Sequence, residues 1–123
     1  VHSMAHPLSA VYDIPHGVAC AILLTPVLKF NAPSTANKYR DIAVAMGVKN
    51  TEDMSIEQAR QACIEAVEKL SVDVGIPQKL TQLGVKEEDL QFLSESAFVD
   101  ACTPGNPRNV SVEAIKEIYK SIM

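Results

Sequence analysis

The chain has 123 residues, the size of one domain, and 47% of them are hydrophobic, enough to fill a core. Its net charge of −4 and the lack of any Lys/Arg run interleaved with aromatics argue against nucleic acid as a partner. With no Trp and only 5% aromatic residues, it also lacks the makings of a base-stacking platform.

Almost every segment reads as helix. Val1 to about Ala10 looks like the end of one, with Pro7 an obstacle in its interior. Tyr12-Asp13-Ile14-Pro15 reads as a turn, because the residue before a proline avoids the helical region. From His16 to Phe30 the pattern is a helix apolar on every side, which belongs inside something larger, and Pro26 should kink it or close its last turn. The most apolar stretch, Val18 to Val27, is shorter than the roughly 20 residues a bilayer span needs, so no membrane partner is expected.

Asn31-Ala32-Pro33-Ser34 is a break, and Ser34 or a neighbour can cap a helix running through Tyr39, Ile42, Ala43 and Met46 to Gly47. Ser55-Ile56-Glu57-Gln58 is a capping-box pattern. After it Ile56, Ala59, Cys63, Ala66, Val67, Leu70 and Val74 recur at helical spacing, the clearest amphipathic helix in the chain, stopped by Gly75-Ile76-Pro77. Lys79 to Leu83 reads as a single turn. Glu87 to Ala101 reads as a helix with its acids, Glu87, Glu88 and Asp89, as a solvated first turn where the macrodipole favours them. Thr103 to Asn109 is expected to be loop, with Arg108 in solvent. Ser111 then caps a last helix on Val112, Ile115, Ile118, Tyr119 and Ile122. Met4 and Met46 are read as core. No strand pattern is visible, so the expected fold is all-α, a bundle of about five to six helices.

Cys20, Cys63 and Cys102 are odd in number, far apart and without a CxxC, which fits reduced thiols better than disulfides or a structural zinc site. No secretory leader pattern opens the sequence. The expected location is the cytoplasm. The bland reading of Cys102 is a small buried hydrophobe.

All three histidines, His2, His6 and His16, fall at the N-terminal edge. His2 and His6 are four residues apart, one face of a helix, and His16 lies beyond a turn that can bring it back beside them. Imidazole is the commonest metal ligand and the usual proton carrier near neutral pH. The only carboxylate close by in sequence is Asp13. Spacing alone leaves two readings open, a metal site or solvated histidines at helix ends.

The segment His2-x-Met4-Ala5-His6-Pro7-Leu8-x-x-x-Tyr12-x-x-Pro15-His16-Gly17-Val18-Ala19 resembles a signature region of the iron-containing (group III) alcohol dehydrogenases, above all the branch acting on lactaldehyde and 1,3-propanediol. Lys38 to Ala43, Val74 to Pro77 and Cys102-Thr103-Pro104-Gly105-Asn106-Pro107-Arg108 resemble the same family in the same order, so the resemblance covers essentially the whole chain. It implies part of the C-terminal helical domain of a dehydroquinate synthase-like fold. It implies that His2 and His16 are two of four ligands to a catalytic Fe²⁺, replaced in some members by Zn²⁺, the other two ligands lying upstream. His6 would sit by the nicotinamide of NAD(P) and take part in catalysis, and Cys102 would line the pocket for a small alcohol or aldehyde. The N-terminal nucleotide-binding α/β domain is expected to be missing from this stretch, which would then be one part of a homo-oligomeric enzyme and inactive alone. Ser9 and Val11 depart from the family pattern, which often has Gly and Phe there. The competing reading is a free-standing helical interaction module without catalytic activity.

Overall fold

The computed structural model describes all 123 residues. Six α-helices and no strand make up the molecule: α1 (His2–Tyr12), α2 (His16–Asn31), α3 (Lys38–Ala45), α4 (Ile56–Asp73), α5 (Leu90–Phe98) and α6 (Val112–Lys120). The predicted all-α bundle is what forms. Short 3₁₀ turns fill the connections at Ala32–Ser34, Thr51–Asp53, Leu80–Leu83, Glu87–Asp89 and Thr103–Gly105.

The main core lies between α1, α2, α5 and α6. Met4, Ala5 and Leu8 of α1 meet Ala19, Ile22, Leu23 and Val27 of α2, Leu90, Leu93 and Ala97 of α5, and Ile115, Ile118 and Tyr119 of α6. Each fully buried leucine contributes about 1.5–3 kcal/mol. Tyr119 is sealed from solvent and its hydroxyl donates to the Met4 carbonyl at 2.6 Å, tying the last helix to the first. That burial pushes its phenol well above the usual range. A smaller cluster of Tyr39, Ala43, Cys63 and Ile64 joins α3 to α4. Burial also raises the Tyr39 phenol, to about 12.

Local rules and the structure part in several places. Helix α1 runs straight through Pro7 to Tyr12. The proline forfeits one backbone bond, to the Ser3 carbonyl, but Met4, Ala5, Pro7 and Leu8 are all buried, and that packing outweighs the lost bond. Pro26 likewise does not close α2, which continues to Asn31. The helical run from His16 to Ser34, 19 residues, is long and apolar enough by composition to cross a bilayer, contrary to the estimate from Val18 to Val27. Here its Ala19, Ile22, Leu23 and Val27 are sunk in the bundle, the position of a core helix.

The Ser55–Gln58 capping box forms as expected, each side chain bonding the other's backbone N–H. Ser111 caps α6 through the Ala114 N–H. Ser34 does not cap α3, whose N-cap position is Asn37 and which has no side-chain cap. Ile42 is exposed and Met46 only half-buried, so α3 buries little beyond Tyr39 and Ala43. On α4 the apolar face is covered only over its first half, and Leu70 and Val74 stand in solvent. Helix α5 stops at Phe98, short of Ala101. Asp89 is not merely solvated: it accepts a hydrogen bond from the Tyr12 hydroxyl, which itself accepts one from the Lys86 N–H.

Candidate metal centre

The reversal between α1 and α2 sets the geometry. Asp13 takes a left-handed backbone (φ 56°) and closes α1 with its N–H on the Ser9 carbonyl. Pro15 precedes α2 and His16 is its first residue. The start of α2 therefore returns beside α1. The His2 and His16 ring centres lie 5.5 Å apart. His6 lies 5.7 Å from His16 with the rings within 19° of parallel, and 6.3 Å from His2. The three imidazoles picked out in the sequence are thus brought together at one exposed edge.

A thiol joins them. Cys20, one turn along α2 from His16, points its Sγ at the His16 ring, 3.5 Å from Nε2. Donor atoms of His2, His16 and Cys20 all lie within 4.8 Å of one another. Two imidazoles and a sulfur converging on one point fit a divalent transition metal. The spacing of the cysteines named none of them as a ligand, and the fold brings Cys20 beside the two imidazoles. The thiol itself is pushed up by partial burial. Asp13, the carboxylate nearest in sequence, sits exposed in the turn as the α1 cap.

His6 has a partner of its own. Its Nδ1 lies 2.7 Å from Asp100 Oδ2, and the side chains are 45% and 18% exposed. A carboxylate only accepts, so Nδ1 carries the proton and donates, leaving Nε2 as the free position of the ring. The other Asp100 oxygen accepts the Cys102 backbone N–H at 2.8 Å. The His6 bond, then the Cys102 N–H, hold the Asp100 carboxyl at about 2, down from 3.8.

Beside His2 opens a cavity of about 190 Å³, walled by Met4, Val27, Phe30, Cys102 and Ile118. Cys102 is exposed and faces this space, so the reading of it as a buried hydrophobe is wrong. The loop after it is clamped to the end of α2. The side-chain amides of Asn31 and Asn106 exchange hydrogen bonds at 2.9 and 2.8 Å. Arg108 donates to the Phe30 carbonyl at 2.6 Å and stacks 4.2 Å above the Phe30 ring. Arg108 is therefore a brace for the pocket wall and not simply a solvated loop residue. Thr103 to Gly105, expected as plain loop, winds one 3₁₀ turn.

The profile of the Fe-containing alcohol dehydrogenase family, C-terminal part, matches residues 1–123. The chain belongs to the iron-containing alcohol dehydrogenases. Among members of this family it is 56% identical over 119 residues to the lactaldehyde reductase of Escherichia coli K12, covering 97% of this chain and 31% of that one. It is 44% identical over 120 residues to the 1,3-propanediol dehydrogenase of Citrobacter freundii, covering 98% and 31%. The solved structure of a 1,3-propanediol oxidoreductase superimposes with a TM-score of 0.95 at 41% identity, over 99% of this chain and 32% of that one. An alcohol dehydrogenase from Oenococcus oeni follows at 0.93 and 37%, with the same coverage. The chain spans about a third of the length of these relatives.

Two site residues escaped the sequence reading. Cys20 had a usable signal, since it stands four residues after His16 on a helix. Asp100 had none, being 94 residues from His6.

Proposed function

We propose that the chain works as the C-terminal part of a cytoplasmic, homo-oligomeric, metal-dependent and NAD(P)-linked dehydrogenase that interconverts a small primary alcohol or diol and its aldehyde. One observation carries the reading: His2 and His16 converge, beside a small, largely apolar cavity, in a chain of the iron-containing alcohol dehydrogenase family. Relatives named for lactaldehyde, 1,3-propanediol and methanol support a short substrate.

His2 and His16 would hold Fe²⁺ or Zn²⁺ as neutral ligands, with further donors and the nucleotide-binding domain outside this stretch. The ion, when bound, supplies Lewis acidity toward the alcohol or carbonyl oxygen. NAD(P) supplies the redox partner. The chain's own residues do the rest. His6, with its Nε2 free, passes a proton or orients the nicotinamide. Asp100 fixes the His6 ring. Met4, Val27 and Phe30 surround the carbon chain and exclude water, and Cys102 borders it. The interaction-module reading, with the histidines structural or a pH-sensitive edge, does not account for their convergence beside a cavity.

The test is His16→Ala in the whole protein. The variant should lose bound metal and its activity on small primary alcohols together. Retention of both would overturn the assignment.

A further inference from the structure

We propose that Cys20 is a further metal donor beside His2 and His16, adding sulfur to the ligand set and shifting the site's preference toward a borderline-soft divalent cation, Zn²⁺ or Co²⁺, over Fe²⁺. This rests on the reading of His2 and His16 as ligands and extends it.

Three observations support it. The first is a distance. Metal–sulfur and metal–nitrogen bonds of about 2.3 Å and 2.0–2.1 Å at a tetrahedral angle place the two donor atoms about 3.5 Å apart. Cys20 Sγ lies 3.5 Å from His16 Nε2. The second is convergence. His2 also presents a ligand atom within 4.8 Å of the other two, so the thiol faces the same point as both imidazoles. The third is the scaffold. His16 and Cys20 stand one turn apart on the first two turns of α2, so they aim at one point without any rearrangement. Sulfur ligation shifts preference away from a hard, oxygen-seeking ion, and the general affinity order already favours Co²⁺ and Zn²⁺ over Fe²⁺. On binding, the thiol proton goes to solvent and the thiolate occupies the ion.

The experiment uses the whole protein carrying this chain, stripped of metal and titrated with Co²⁺ alone, then with Zn²⁺ in competition with Fe²⁺. The expected result is a near-ultraviolet thiolate-to-cobalt charge-transfer band that vanishes in Cys20→Ser and Cys20→Ala. Zn²⁺ affinity should also fall in both by at least about tenfold, the lower end of what loss of a supporting partner costs. Circular dichroism of both variants checks that the fold is kept, and the serine matches the cysteine in size. His16→Ala separates the two readings. If it abolishes cobalt binding while Cys20→Ser leaves band and affinity intact, Cys20 is no ligand and the histidine site stands. If His16→Ala also leaves cobalt binding intact, the histidine reading falls with it.

Discussion

Asp100 reaches across 94 residues of sequence to hold His6 at Nδ1, 2.7 Å away, while its second oxygen takes the Cys102 N–H. One carboxylate thus fixes both the ring in the histidine cluster and the backbone of the pocket-lining cysteine. Asp100→Asn can no longer demand the Nδ1–H tautomer, because an amide can donate as well as accept. The expected outcome is a kcat lower by roughly 10²-fold, the scale of a positioned proton carrier, with KM and bound metal little changed. Steady-state kinetics with metal analysis decide it. An unchanged kcat would show that the His6 tautomer does not matter.

The same pair sets an acid-sensitive contribution to stability. The folded Asp100 carboxyl is depressed to about 2 from 3.8. A depressed acid favours the fold above its ordinary value, and that benefit disappears as the pH falls through the folded value. Wild-type and Asp100→Asn melting temperatures should therefore differ at pH 5, converge from about 3.8 downward and meet near 2. A gap that stayed constant across this window would place the effect elsewhere.

The Asn31–Asn106 exchange predicts non-additivity. Asn106→Ala strips partners from the buried Asn31 amide and Asn31→Ala from the half-buried Asn106 amide, and an unpaired buried polar group costs about 1–3 kcal/mol. The double variant leaves neither amide orphaned, so its loss should fall short of the sum by about 0.5 kcal/mol or more. Denaturant unfolding of the four proteins in the cycle measures this. Strict additivity would mean that the two amides do not hold the loop.

How much could be read in advance depended on how local the cause was. The Ser55 capping box and the Ser111 cap are short-range patterns and form as written. Helix α1 was readable except at Pro7, where a local rule against proline loses to buried neighbours that are distant in sequence. Periodicity named the apolar face of α4 correctly, but a period says which residues share a side and not what covers it. Leu70 and Val74 share that side and are uncovered. In the site, His2 and His16 were legible because helix, turn and helix fix their meeting. Asp100 was not, because only the packing of α5 on α1 brings it near.

Ser9 tests the balance inside α1. Its hydroxyl is buried and has no hydrogen-bond partner. An orphaned buried polar group costs about 1–3 kcal/mol, and serine is also a poorer helix former than alanine by a few tenths of a kcal/mol. Alanine is smaller and needs no rearrangement to fit. Ser9→Ala should therefore stabilise the protein, by about 1 kcal/mol once lost packing of the hydroxyl is set against the gain. Glycine, the residue its resemblance to the family suggests there, should gain less, since it gives back about 1 kcal/mol in helix propensity. Melting temperatures in the order alanine above glycine, and alanine above wild type, are the expected result. A lower melting temperature for Ser9→Ala would mean that the hydroxyl turns in solution to bond the carbonyl one turn back, and that α1 relies on it.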